Sequence, residues 1–131
     1  MARREGGRLN RYVMIALGGA LGAIARYQLA AMIQARVPVG FPWGTFVVNV
    51  TGCLVMGVAT TLLTDRLVHP NWRFLIPIGF IGAYTTFSTF ELETFRAVTD
   101  GAWLVGGLNV AGSVLAGYVA LWLGVALTRL I

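Results

Sequence analysis

The sequence predicts an all-α membrane protein with four transmembrane helices, and its composition is the first reason. Of its 131 residues, 57% are hydrophobic and only 11% are charged, and the mean hydropathy is +0.76. A soluble domain carries about 25% charged residues. Because one span needs about 20 apolar residues, a chain of this length holds about four spans joined by short loops. An ordinary soluble fold, and with it a large soluble catalytic domain, is excluded.

Long apolar runs define the spans, and turn signals separate them. Two prolines and a glycine in residues 35–42 end the first run, and a His-Pro-Asn turn signal follows the second. The first run is longer than the apolar core of about 7 to 15 residues in a secretory signal, so it predicts a span. In chain order we expect spans at residues 12–33, 43–63, 72–98 and 102–127, which form one domain over residues 1–131.

The third span is a poor continuous helix. Pro77, Gly79 and Gly82 precede the run Thr-Thr-Phe-Ser-Thr-Phe at residues 85–90. Proline removes a helix hydrogen bond, and glycine lowers helix propensity by about 1 kcal/mol. Non-helical backbone in a membrane needs protein or water around it, and interrupted membrane helices mark ion sites. We therefore expect this helix to be broken within the membrane near residues 82–86.

Small residues in the first and fourth spans predict close helix contacts. Gly18 and Gly22 form a GxxxG pair, and Gly107 and Gly112 are each followed four residues later by alanine. Residues of this size let a second helix approach closely. We expect these faces to pack against other helices.

The basic residues are distributed unevenly. The net charge is +5, and four of the ten arginines lie in the first eleven residues, directly before an apolar run. This pattern is typical of an anchor at anionic headgroups, so no nucleic-acid partner is expected. Seven arginines on one side against two on the other place the N-terminus in the cytoplasm by the positive-inside rule. Without the N-terminal tail, the count is only three against two.

The common catalytic and metal-binding motifs are absent from the sequence. The one histidine, His69, lies in a predicted loop, and the one cysteine, Cys53, allows neither an intramolecular disulfide nor a cysteine metal cluster. We expect the protein not to be an enzyme. The candidate functional residues are the polar side chains inside the spans, since each is costly in hydrocarbon unless it faces a partner or water.

Polar side chains in the first two spans allow two interpretations each. Arg26 lies about 10 Å inside the end of its span, where it can extend to the headgroups or supply a fixed positive charge at the mouth of an anion path. Thr45 and Asn49 are four residues apart and share a helix face. They can bond a neighbouring helix, or the amide can replace part of an anion's hydration shell without trapping the ion.

The last two spans also carry paired candidates. Phe87 and Phe90 can be ordinary packing, or their electropositive ring edges can line an anion path. Asn109 and Ser113 can join helices by hydrogen bonds or continue such a path. These groups are neutral, rich in donors and poor in acids, which favours an anion over a cation. Further hydroxyl donors beside the rings are Ser88 and Thr89.

Together these motifs resemble the Fluc (CrcB) family of small bacterial fluoride channels. The likeness rests on GFIGAYTTFSTFE at residues 79–91, on the glycines ahead of Arg26, and on the asparagine and glycine of Asn49-x-x-Gly52, and it covers nearly the whole chain. It implies a passive channel in the inner (plasma) membrane that exports cytoplasmic fluoride down its electrochemical gradient. It also implies an antiparallel, dual-topology homodimer with two pores and a central structural sodium ion.

The resemblance assigns roles to individual residues. Asn49 matches the pore asparagine, and Phe87 and Phe90 match the paired phenylalanines. Gly82 and Thr85 match the backbone carbonyl donors to sodium, which would explain why the helix breaks there, since an intact helix uses its carbonyls internally. The arginine asymmetry departs from a dual-topology pattern. The polar track matches Thr45, Ser88, Thr89 and Ser113, with Asn109 at a more variable position.

Two other functions are weighed against a fluoride channel. A small multidrug-type, proton-coupled exporter also has four short spans, but it needs a membrane-embedded carboxylate in its first span, where this chain has Arg26. A helical scaffold subunit would transport nothing. Fluoride efflux from liposomes that contain only this protein separates the three.

Overall fold

All secondary structure that the computed structural model describes is helical, as predicted. The structure describes residues 2–37, 40–65, 69 and 71–130, with side chains from residue 10 onward. Three helices are long and apolar enough to cross a membrane, and an interrupted fourth segment lies between the second and third of them. The chain is therefore a multi-pass membrane protein. The helices are α1 (Ala2–Gln34), α2 (Trp43–Asp65), α3 (Phe74–Ile81, continued by Gly82–Tyr84), α4 (Phe87–Thr99) and α5 (Trp103–Arg129).

Charged side chains of different helices lie together at one end of the bundle. The arginine side chain at the end of α5, Arg129, lies 4.0 Å from Asp65 at the end of α2. Arg11 of α1 lies over the ring of Phe74, the first residue of α3. The end of the bundle that carries Arg11, Arg73 and Arg129 is called the basic end below.

α3 is wound more widely than an α-helix. Phe74–Ile81 is π-helical, and the N–H of Gly82 donates to the carbonyl of Pro77, five residues back. Pro77 has no N–H of its own, so it cannot maintain the regular ladder of bonds. π-Helical turns are rare and concentrate at functional sites.

The chain is interrupted between α3 and α4. Thr85 (φ −78°, ψ 154°) and Thr86 (φ −146°, ψ 110°) are extended, whereas Gly82 is still helical. The Thr86 hydroxyl accepts the N–H of Thr89 at 3.3 Å and so caps α4. The interruption therefore lies inside the range 82–86 that the sequence predicts, at its last two residues.

Glycines set the closest contacts between helices. A side chain at Gly18 or Gly22 would overlap backbone carbonyl oxygens of α3, as predicted for this GxxxG pair. On α5, the backbone contact with α2 occurs at Gly124, which faces Gly57. The prediction for Gly107 does not hold within the chain, because nothing lies within 4 Å of a Cβ added there. Such contacts bring the long helices close enough to fix the positions of the polar side chains described next.

Candidate functional site

Asn49 of α2 forms hydrogen bonds with the interrupted backbone. Its Oδ1 accepts the N–H of Thr86 at 2.8 Å, and its Nδ2 donates to the carbonyl of Thr86 at 3.1 Å. The side-chain amide thus replaces the bonds that this peptide would make in a continuous helix. An Asn amide has two N–H donors, and Thr86 takes one of them.

The same interruption frees the carbonyls of Gly82 and Thr85, the two that the family resemblance assigns to sodium. The N–H of Thr86 goes to Asn49 instead of the carbonyl of Gly82, four residues back. The N–H of Thr89 goes to the Thr86 hydroxyl instead of the carbonyl of Thr85. Carbonyl oxygens suit a hard cation, so the chemistry of this donor set fits one.

A carboxylate that the sequence argument overlooked lies beside Thr45. The buried Thr45 hydroxyl donates to Glu93 Oε1 at 2.9 Å. Glu93 Oε2 is buried and has no hydrogen-bond partner among the described residues. The description of the polar stripes as acid-poor is therefore incomplete. A helical signal was present, since Glu93 is four residues after Thr89 and three after Phe90, on the same face of α4.

Arg26 and Glu93 line one cavity of about 370 Å³ between α1, α2 and α4. Arg26 is partly buried, and the two charged residues lie on different helices. The cavity therefore carries one basic and one acidic side chain. This cavity, called the vestibule below, is also lined by Tyr27, Gln34, Thr45, Thr86 and Thr89.

A second space of about 300 Å³, called the groove below, contains the two phenylalanines. Their ring centroids are 5.6 Å apart, yet Phe87 is 73% exposed and Phe90 only 6%. Asn49 and Ser113 supply polar groups to walls that are otherwise mainly apolar. Thr86 lines both spaces, so the backbone that pairs with Asn49 lies between the vestibule and the groove.

The other candidates are placed around these spaces. Asn109 is 1% exposed and donates to the Thr94 hydroxyl at 2.9 Å, so it links α5 to α4. Ser113 donates to Asn109 Oδ1 at 3.4 Å and lines the groove. Thr89 lines the vestibule, where its hydroxyl accepts that of Thr86 at 2.9 Å. Ser88 is exposed and lines neither space.

Fold and site together define a small multi-pass membrane protein whose polar groups meet at an interrupted helix, an arrangement found in ion-transporting proteins. The family model described as "CrcB-like protein, Camphor Resistance (CrcB)" matches residues 13–125. The chain belongs to this CrcB family, which confirms the resemblance seen in the sequence.

Three similar proteins carry the same name. The "Fluoride-specific ion channel FluC" of Solibacter usitatus is 53% identical over 120 residues, which are 91% of this chain and 98% of the relative. The protein of that name from Acidobacterium capsulatum is 50% identical over 115 residues, 87% and 92% of the two chains. That from Nitratidesulfovibrio vulgaris is 43% identical over 124 residues, 94% and 100%. Since these relatives are named as channels, the family confirms the expectation that the chain is not an enzyme.

Proposed function

We propose that this chain is a fluoride-selective passive channel of the bacterial inner membrane, through which cytoplasmic fluoride leaves down its electrochemical gradient. The names of the relatives support fluoride as the ion. The observation that carries the proposal is the pairing of Asn49 with the Thr86 peptide. This pairing holds a neutral amide donor at the junction of the vestibule and the groove, where an ion can be bound without being trapped.

The ion passes along groups of different chemistry. Arg26 attracts an anion into the vestibule, where the Thr89 hydroxyl, which accepts from Thr86 and keeps its own proton to donate, replaces part of the ion's water. Asn49 offers its second N–H at the junction. Beyond it, the electropositive edges of Phe87 and Phe90 face the ion, and the Ser113 hydroxyl, whose bond to Asn109 is long at 3.4 Å, turns to donate to it. Chloride is larger and accepts weaker hydrogen bonds, so it gains less from the same donors.

Glu93 imposes a condition on this path. An ionised carboxylate in the vestibule would repel fluoride. The Thr45 hydroxyl donates to Oε1 of Glu93, and Oε2 has no partner among the described residues. Conduction therefore requires either a proton on Glu93 or compensation of its charge by Arg26 across the vestibule.

The functional unit in this proposal is an antiparallel homodimer with two pores and one central sodium ion. The carbonyls of Gly82 and Thr85 would hold the ion, because their regular N–H donors are engaged elsewhere. Two oxygens from one chain leave the remaining coordination to a second copy. The interruption divides residues 74–99 near their middle, which favours a site at the bilayer midplane on an in-plane two-fold axis. Bound sodium would supply a fixed positive charge beside the two pores.

The direct test is efflux from liposomes that contain only the purified chain. Potassium fluoride is trapped inside, valinomycin carries the countercharge, and an electrode reads external fluoride. We expect rapid fluoride efflux and little chloride efflux from matched vesicles. No fluoride flux from correctly assembled protein would contradict the channel and favour a scaffold subunit.

The buried carboxylate of Glu93 is the one observation that favours a proton-coupled exporter. The same liposomes separate the two functions. When fluoride is equal on both sides, a pH gradient makes an exporter accumulate fluoride on one side of the membrane. A passive channel whose voltage is clamped by valinomycin does not accumulate it. Uphill movement under these conditions would overturn the passive mechanism.

Topology is tested with single cysteines near Arg3 and Arg129 in a Cys53→Ser background. An antiparallel dimer places these positions on both sides of the membrane in equal numbers. We expect an impermeant thiol reagent to label comparable amounts from each side. Labelling from one side only would support the single orientation that the arginine count predicts. It would exclude the antiparallel dimer and its shared sodium site.

A further inference from the structure

Two arginines share one aromatic ring at the basic end. Arg11 Cζ lies 5.1 Å from the ring centroid of Phe74, and Arg73 Cζ lies 4.8 Å from the same centroid. Because both distances end at one point, the two Cζ atoms are at most about 10 Å apart. Two like charges therefore lie at one place on the surface, no farther apart than their contacts to this ring allow.

Backbone packing fixes the position of this pair. Gly18 lies two helical turns after Arg11 on the same face of α1. A side chain at Gly18 would overlap the carbonyl oxygen of Leu75, the residue next to Phe74. A Cβ at Gly79 would lie 2.9 Å from the carbonyl oxygen of Ile15. At these glycines α1 and α3 meet backbone to backbone, which limits how far the helix that carries Arg11 can move from Arg73.

Neither positive charge is balanced by the described side chains. Among these, Arg11 and Arg73 have no carboxylate within 4.0 Å, whereas Arg129 at the same end has Asp65 at 4.0 Å. Both residues are exposed. Two neighbouring cations repel each other, and an anion between them relieves that repulsion. The planar donor pattern of guanidinium matches phosphate oxygens, often with two hydrogen bonds.

The surroundings point to a lipid as the source of the phosphate. Tyr12 and Trp72, the chain neighbours of the two arginines, are 69% and 44% exposed, and such aromatics lie at headgroup depth in membrane proteins. An exposed apolar side chain also lies about one turn after Phe74 on α3, where an acyl chain can lie. It is Ile78, which is 50% exposed.

We propose that Arg11, Phe74 and Arg73 form a binding site for the phosphate group of an anionic phospholipid. The two guanidinium groups bind the phosphate oxygens, the ring holds both groups in place, and the acyl chain lies along α3 beside Ile78. This lipid site is separate from the vestibule and the groove, because none of its three residues lines either cavity. The inference goes beyond the proposed function and holds whether or not the chain conducts fluoride.

Thermal unfolding of the purified protein in a neutral detergent tests the site. The melting temperature is measured during titration with phosphatidylglycerol, with phosphatidylcholine, and with inorganic phosphate. We expect only phosphatidylglycerol to raise it. Its apparent affinity should fall about fivefold in Arg11→Gln or Arg73→Gln and about 25-fold in the double variant, since each arginine near a lipid surface contributes one such factor.

Arg129→Gln is the matched control, because it removes the same charge at the same end from a residue that already has a carboxylate beside it. It should keep the wild-type response. Phe74→Leu keeps both charges but removes the ring, and it should weaken the response as a single arginine variant does. This variant also serves if the double variant fails to fold, which size-exclusion chromatography without lipid shows.

Three outcomes would overturn the proposal. An unchanged phosphatidylglycerol response in the double variant or in Phe74→Leu means that the lipid binds elsewhere. An equal loss in Arg129→Gln means that net charge, not this site, attracts the lipid. Stabilisation by inorganic phosphate equal to that by phosphatidylglycerol means that the ligand is a soluble anion and not a lipid.

Discussion

Two kinds of close contact hold this bundle together, and they work by opposite means. Between α1 and α3, and between α2 and α5, glycines let one backbone touch another. Between α2 and the interrupted chain, the Asn49 side chain supplies hydrogen bonds that the backbone has lost. The glycine contacts add no polar side chain to the interior, whereas the Asn49 contact places polar groups between two cavities. Under the proposed function, a change at a glycine contact should act on helix packing, and a change at Asn49 should act on ion passage.

The largest effect is expected at Asn49. Asn49→Ala removes the amide donor, and Asn49→Asp puts a negative charge into an anion path. Fluoride efflux should fall about 10- to 100-fold, because a hydrogen bond to a charged group contributes about 1.5–3 kcal/mol. Size-exclusion chromatography should still show the assembled protein.

Thr60→Ala is the control for Asn49, since this exposed hydroxyl on the same helix bonds only to carbonyls of its own helix. Its efflux should match that of the wild type. Near-normal efflux through Asn49→Asp would eliminate Asn49 as a pore donor. The Asn49 contact would then act on packing alone, as the glycine contacts do.

A change at a glycine contact should act on folding instead. In Gly18→Ala the added methyl group overlaps the carbonyl oxygen of Leu75, and the backbone cannot move away cheaply. We expect a loss of about 1–3 kcal/mol in unfolding free energy, measured by chemical denaturation in detergent. In Gly19→Ala, the nearest atom is 4.0 Å away, so this neighbour should be unaffected. Equal stability of the two variants would disprove the backbone contact.

Phe87 tests whether the groove contributes chemistry or only volume. The ring is 73% exposed in this chain, so its replacement should leave the fold intact. Phe87→Ile keeps an apolar side chain but loses the electropositive ring edge, and efflux should fall about two- to tenfold, whereas Phe87→Tyr should conduct like the wild type. If the isoleucine and tyrosine variants conduct equally well, the ring is ordinary packing.

The smallest effect is expected for Glu93→Gln. Glutamine keeps an oxygen that accepts the Thr45 hydroxyl and removes the charge, so efflux should stay within about twofold of the wild type and stability should be unchanged. Glu93→Ala leaves the buried Thr45 hydroxyl without its acceptor and should cost about 1 kcal/mol in unfolding free energy. A large loss of efflux in the glutamine variant would show that fluoride passage needs the negative charge.

The sequence predicted what local chemistry determines. Apolar runs and turn signals depend on neighbouring residues, so the helical class and the interruption near Thr85 and Thr86 were accessible. Asn49 was accessible too, because an amide inside an apolar run is conspicuous. The full extent of α1 could not be predicted from the sequence. The helix Ala2–Gln34 begins ten residues before the predicted span, and its basic tail has no apolar periodicity.

Contacts between distant residues could not be predicted in the same way. Thr45 and Glu93 are 48 residues apart, and only the packing of α2 against α4 reveals their hydrogen bond. The sequence showed small residues on the fourth span but not which of them meets another backbone, and Gly124 does so rather than Gly107. The pairing of Asn49 with Thr86 likewise requires that helix packing bring a backbone gap beside a particular side chain.

The length of α1 has a mechanical consequence. Its 33 residues measure about 50 Å along the axis, while the hydrocarbon core of a bilayer is about 30 Å thick. A rigid rod of this length must project into water, and the predicted span places the projection before Tyr12. A fluorophore or affinity tag attached at Ala2 would therefore stand clear of the headgroups, and fluorescence quenching by an aqueous reagent could report which way each molecule is inserted.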